Sequence, residues 1–314
     1  MDCDYFYHEG NHSTHVTIAS ADNWTTVPGG ISKTFIAIAT SIVYLSSTIA
    51  NFALIIGLKN TNKKLAISQK LYIYLSSTDA VFSLVVLVSF GGFSLFPINC
   101  KTMSIAIALS IYTFGLGLGS FLLISYLRNQ AIRKPFKSVT LKTVHLALAG
   151  WNVITLSTCL LYFFTYHPVF GSRFFYAFSW SFMGLSMMLT VAFVAILNCW
   201  SKKILTRQSS VGISQNEIEM RRRKRNKTAV AILNIISLIY AICLLPFAFF
   251  FVLAGLLSWM QEDSVLITVL EASSFIYLPL FPCSGLNALA YMLKDQNIRM
   301  FYKHFFCREK RPNL

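Results

Sequence analysis

Arg128 ends a run of twenty-six residues, Thr102 to Leu127, that carries no charged side chain, and it opens a basic cluster closed by Pro135. An arginine so placed can snorkel to water or reach into a cavity between helices. Asp79 sits eight residues inside another apolar run. A carboxylate there costs about 3 kcal/mol or more, so it needs a partner, an ion or a proton. The amides of Asn51 and Asn287, each inside a further apolar run, are the candidates to share a polar network with it. Pro246, in "CLLPF", removes a backbone hydrogen bond from the middle of its run and gives that helix a pivot. These residue types suit rearrangement of hydrogen bonds, not bond breaking. Catalysis would want paired acids, a histidine cluster or a Ser/Lys pair, and besides Asp79 the runs offer only His145 and Glu271, near opposite ends. The seven cysteines show no metal-ligand spacing, so neither metal nor cofactor is expected.

The elements that must position these residues are apolar helices. The chain is 55% hydrophobic and 12% charged, with mean hydropathy +0.59, too apolar for a soluble domain of this length. Seven runs reach the roughly 20 apolar residues that a spanning helix needs, at about 32–58, 71–96, 102–127, 143–166, 174–200, 228–257 and 265–293. The expected fold is therefore all-α, a seven-transmembrane helix bundle over 31–293. Residues 1–30 precede it as a polar head, and 294–314 follow as a short amphipathic eighth helix and tail. In that helix Ile298, Phe301 and Phe305 fall on one face. Transport would want an internal repeat or several midplane charges, and neither is evident.

The formal charge of +15 reflects topology and does not point to nucleic acid. Of the 27 lysines and arginines, 24 lie in the tail and in the segments joining spans 1–2, 3–4 and 5–6, against Lys33, Lys101 and Arg173 on the other side. By the positive-inside rule the N-terminus is outside and the C-terminus cytoplasmic. This orientation opposes a chemoreceptor channel of the insect type, which runs with its N-terminus inside. Asn11 and Asn23 stand in glycosylation acceptor triplets of the polar head. The head has no cleavable leader pattern, so span 1 is expected to serve as the insertion signal. The basic "RRRKRNK" at 221–227 is expected to touch anionic lipid, and Cys307 is a candidate for palmitoylation.

Taken in order, these residues resemble the rhodopsin-like G-protein-coupled receptors over nearly the whole bundle. Asn51 matches the span-1 asparagine, and "LSSTD" (75–79) the span-2 L-x-x-x-D signature. "LRNQAIRKP" (127–135) is similar to D-R-Y-x-A-I-x-x-P, Trp151 to the span-4 tryptophan, "CLLP" (243–246) to C-W-x-P and "NALAY" (287–291) to N-P-x-x-Y. The resemblance implies a plasma-membrane receptor in which an extracellular ligand moves spans 6 and 7 about Pro246 and Asn287–Tyr291. A cytoplasmic cleft then opens, where Arg128 and the basic loops meet a heterotrimeric G protein. Membrane lipids are the other expected partner.

Several departures sharpen this expectation. Leu127 and Asn129 replace the residues that flank the arginine, so Arg128 lacks the acid that holds it in the inactive arrangement, and raised basal activity is expected. Leu244 replaces the switch tryptophan and Ala288 the span-7 proline. Ser284 is kept at the family's sodium site, whereas Gly117 and Cys283 stand at two of its other positions. The loop between spans 4 and 5 has no cysteine to pair with Cys100, which leaves a Cys3–Cys100 bridge open. Ser110 falls where amine receptors carry an aspartate and Phe281 where opsins carry a lysine. The resemblance thus implies neither an amine ligand nor retinal held as a Schiff base. Ser110, Tyr112, Arg173, Glu271 and Tyr277 remain as ligand-binding candidates for a peptide, a lipid-like molecule or a small metabolite. The altered motifs keep a decoy or heteromer-partner role as the alternative.

Overall fold

The computed structural model describes residues 33–61, 67–91, 100–133, 139–165, 173–210, 217–260 and 283–307. Among these residues the protein is helical apart from Val139, Thr140 and Asp295. Its helices are α1 (Lys33–Thr61), α2 (Ile67–Val86, continued by a π-helical turn over Leu87–Gly91), α3 (Cys100–Arg133), α4 (Leu141–Thr165), α5 (Arg173–Ser210), α6 (Glu217–Met260), α7 (Cys283–Lys294) and α8 (Gln296–Cys307). The first six contain stretches long and apolar enough to cross a membrane. Hydrocarbon supplies no hydrogen bonds, and a helix satisfies its backbone internally. The chain is a multi-pass membrane protein on this evidence of length and composition. Of the seventh expected span, 265–293, only the part from Cys283 onward lies within the described residues.

α5 and α6 run well beyond the apolar limits read from the sequence, 174–200 and 228–257. Lysine and arginine are good helix formers, so the helices carry on through Lys202, Lys203 and Arg207, and through 221–227. Hydropathy ends at the membrane boundary, but backbone hydrogen bonding does not. Pro246 lies inside α6 with its ring exposed.

α3 is central, packing on α2, α4, α5 and α6, while α1 meets both α2 and α7, and α6 closes the ring against α7. Burial follows that order, with 56% of the spanning window of α3 inside the protein and only 11% of that of α4. The largest buried side chains include Tyr44, Phe121, Ile124, Leu233, Ile236 and Leu244. Lipid-facing positions such as Leu146, Leu189 and Ile242 are exposed.

Small residues set the helix spacing, as expected where lipid is as apolar as leucine. Gly119 leaves room for Trp151 of α4, whose Nε1 a Cβ there would approach to 2.0 Å, and that nitrogen instead donates to the Gly115 carbonyl (2.8 Å). Gly184 of α5 lies against the backbone of α6, where a Cβ would come within 2.5 Å of the Ala248 carbonyl oxygen.

Asp295 ends α7 and caps α8. Its Oδ1 accepts from the backbone N–H of Asn297 (3.0 Å) and Ile298 (3.2 Å), the usual N-cap arrangement. Ile298 and Tyr302 then pack under α1 beside Gly57, and the Tyr302 hydroxyl donates to the Ala53 carbonyl. The face expected from Ile298, Phe301 and Phe305 is divided. Ile298 is buried in the bundle, whereas Phe305 is exposed and stacks on Phe301.

Gly184→Ala should push α5 from α6, a backbone overlap on the scale of overpacking, about 1–3 kcal/mol. Gly150→Ala, whose Cβ would meet nothing within 4 Å, should be neutral. Thermal unfolding of the two variants in the same detergent distinguishes them, and equal midpoints would contradict this account of the α5–α6 contact.

Candidate functional site

Two polar layers lie one above the other between α1, α2, α3 and α7. The upper one is centred on Ser284 of α7. Its hydroxyl accepts from Ser47 Oγ (3.1 Å) and Asn51 Nδ2 (3.0 Å) of α1 and donates to the Asp79 backbone carbonyl of α2 (3.3 Å). Ser83 of α2 lies 2.9 Å from Ser47 and 3.4 Å from Ser284, each hydroxyl to hydroxyl. Asn51 also donates to the Ser47 carbonyl (3.0 Å). Asn51, Ser83 and Ser284 are all buried. Three helices are thereby joined without a formal charge.

Beneath this layer the Asp79 carboxyl points toward α3. Gly117 stands opposite, and a Cβ there would lie 3.0 Å from Asp79 Oδ1. The side chains of Ser284 and Asn287 face the carboxyl, and Asn287 also faces the Tyr240 hydroxyl of α6. Yet Asp79 Oδ2 and both amide atoms of Asn287 are buried without closing a hydrogen bond among the described residues. Such a trio has spare capacity for a proton, a water or a small cation. One carboxylate with hydroxyls and an amide is a hard oxygen set, unsuited to soft transition metals. Among the described residues no group of three or more His, Cys, Asp or Glu could hold a metal ion.

The lower layer is aromatic. Tyr72 of α2 and Tyr291 of α7 are both buried, with ring centres 4.2 Å apart. Half-buried Arg128 of α3 stands within electrostatic reach of both hydroxyls. Leu127 packs against the hydrophobic core. Asn129 is buried, and its amide donates to the Leu197 carbonyl and the Ser201 hydroxyl of α5, each at 3.1 Å. Above, Tyr240 stacks on Phe121 of α3 at 4.3 Å.

Of the residues singled out from sequence, Asn51, Asp79, Asn287, Tyr291 and Arg128 line this polar axis. Pro246 is on the outer surface of α6. In the opposite half of α3, half-buried Ser110 donates to its own helix at the Ala106 carbonyl (2.8 Å). Tyr112 donates to Asn152 of α4 (3.3 Å). Cys100 begins α3, Arg173 begins α5 and Cys307 ends α8, at positions where only the backbone is described. Cys3, Asn11, Asn23, Glu271 and Tyr277 lie outside the described residues.

Ser47, Ser83, Tyr72 and Tyr240 were not singled out from sequence. A signal existed for the first two. Ser47 lies four residues before Asn51 and Ser83 four after Asp79, so each pair shares a helix face. No protein-family model matches this chain, and no curated protein matches it either.

Ser284→Ala should remove the hydroxyl that three helices share and cost about 1–3 kcal/mol, the penalty for stranding buried partners. Ser46→Ala, which removes only an exposed bond to the Ile42 carbonyl, should cost far less. Thermal unfolding midpoints in detergent test this, and a drop no larger for Ser284→Ala than for Ser46→Ala would refute the hub.

Proposed function

We propose that this chain is a divergent rhodopsin-like receptor of the plasma membrane, with seven spans and an eighth interfacial helix, that turns binding of an extracellular ligand into activation of a heterotrimeric G protein. The observation that carries the reading is the polar axis from Asn51 through Asp79 and Asn287 to Tyr291 and Arg128. In the resembled family, the residues at these positions link ligand-driven helix motion to the G-protein surface. The seventh span is 265–293, and the basic distribution sets the N-terminus outside.

The axis gives a physical route for a two-state element. Asp79 and Asn287 hold unsatisfied polar atoms, so a small shift of α7 changes which hydrogen bonds can close. Tyr291 lies one helical turn below Asn287 and carries that shift to Tyr72 and Arg128. Leu127 stands where the resembled family carries an acid, and the Tyr72 and Tyr291 hydroxyls lie within electrostatic reach of Arg128. A ligand shifts such an equilibrium only by its differential affinity for the two states.

A non-coupling decoy or heteromer partner is the second reading. The buried Asn129 bonds to α5 favour it, since they fix the flank of Arg128 in place.

Both readings are separated by G-protein activation measured without ligand, across several G-protein classes, at matched surface levels. Arg128→Ala should abolish the wild-type basal signal, and absence of any signal from the wild type would favour the non-coupling reading. Leu127→Asp should lower basal signalling by roughly 5- to 30-fold, the effect of a charge-assisted hydrogen bond of about 1–2 kcal/mol that stabilises the resting state. Unchanged basal signalling in Leu127→Asp would show that the missing acid does not set the resting equilibrium.

A further inference from the structure

α6 and α7 meet along an inner seam whose side chains form successive rungs. Tyr240 of α6 faces Asn287 of α7, and Cys243 faces Cys283 with the two thiols within hydrogen-bonding reach of each other. From the first rung to the second the position advances from 240 to 243 on α6 and goes back from 287 to 283 on α7, about one helical turn on each. Neighbouring spans that run in opposite directions require such a register. Both cysteines are 4% exposed, and both belong to the main core together with Tyr240 and Leu244.

The polar axis makes no use of these two sulfurs, and both are free thiols. The other described cysteines are placed differently. Cys159 of α4 donates to the Ala108 carbonyl of α3 (3.2 Å), and Cys199 is exposed on α5. Among the described residues no group of three or more His, Cys, Asp or Glu could hold a metal ion, so the pair has the chemistry of a dithiol. Two thiols held together on different helices are joined by the loss of two electrons. The product carries neither a charge nor a hydrogen-bond donor, which suits a site without water.

We propose that Cys243 and Cys283 are an oxidation site, which a neutral hydroperoxide converts into a disulfide clasp between α6 and α7. One sulfur attacks the peroxide ROOH, takes up an oxygen as a sulfenic acid and releases ROH. The other sulfur displaces that oxygen as water and closes the S–S bond. Two electrons pass from the sulfurs to the peroxide, and the two thiol protons leave in the alcohol and the water. Burial selects the oxidant: charged or bulky disulfides such as oxidised glutathione are kept out, whereas a small neutral peroxide enters apolar surroundings. The bond fastens α6 three residues before Pro246 and α7 one turn before Asn287, next to the unsatisfied polar atoms of Asp79 and Asn287. It thereby joins two helices whose relative shift those atoms allow. The inference needs only that α6 and α7 are in contact and does not depend on the receptor reading.

Peptide mapping of the purified full-length protein tests the site. The folded protein in detergent would be treated with graded hydrogen peroxide, blocked with N-ethylmaleimide in denaturant, digested and examined by mass spectrometry with and without dithiothreitol. Cys243 and Cys283 should lose their reaction with N-ethylmaleimide together, one to one, and appear as a linked peptide pair that dithiothreitol separates. Peroxide should also raise the thermal unfolding midpoint by about 5 °C, because the cross-link constrains the unfolded chain. Cys283→Ala should abolish that rise and Cys199→Ala should keep it. The proposal is overturned if the pair stays reduced while the exposed Cys199 is oxidised, or if the two sulfurs go separately to sulfinic acid. It is equally overturned if the linked peptides form only in protein unfolded before oxidation.

Discussion

A hydrocarbon solvent offers no hydrogen bonds, and nearly everything else in this bundle depends on that constraint. Each polar side chain in an apolar helix must find its partner inside. Ser47, Asn51, Ser83 and Ser284 do so through one shared hydroxyl, and this draws α1, α2 and α7 to a common point. Asn129 with Ser201 and Asn198 with Ser237 perform the same service for the α3–α5 and α5–α6 contacts. Where water is excluded, a few such pairs decide which faces meet, because aliphatic side chains pack equally well on one another or on lipid.

Among the described residues, the largest group of buried polar atoms without hydrogen-bond partners lies beside Asp79. A carboxylate oxygen and a complete amide are buried there without partners among the described residues, next to a glycine that lets the acid approach the backbone of α3. Buried polar groups left unsatisfied are a reservoir of strain or a seat of function. Their position supports the second interpretation, since Asp79 and Asn287 stand between the hydroxyl layer above and the Tyr72, Tyr291 and Arg128 layer below. Rigid ties on one side and unsatisfied groups on the other are the ingredients of a helix that can adopt two positions.

The outer surface is organised by the same solvent. α4 is mostly exposed, and α5 shows lipid a continuous ridge that changes from apolar to basic within two turns. α8 divides its aromatic residues between the bundle, where Tyr302 anchors it to α1, and the exterior, where Phe305 is left to the interface.

The six long spans, the distribution of basic charge and the anomalous polar residues were all legible in the amino-acid sequence, because each follows from local composition. Hydropathy over about twenty residues shows that a helix can cross, and a lone acid in such a run stands out whatever surrounds it. Helical spacing also carried the Ser47–Asn51 and Asp79–Ser83 faces, although it could not say what they faced. The partners were decided by tertiary structure alone. That Asn51 reaches Ser284 and not the Asp79 carboxyl, that Asn129 is committed to α5, that Tyr112 turns to Asn152 of α4, and that Ile298 parts from Phe305 all depend on which helices are neighbours. Sequence periodicity sets the face of a helix to within a few tens of degrees, but the neighbour of that face is chosen by the packing of the whole bundle, through glycines and hydroxyls far apart in the chain.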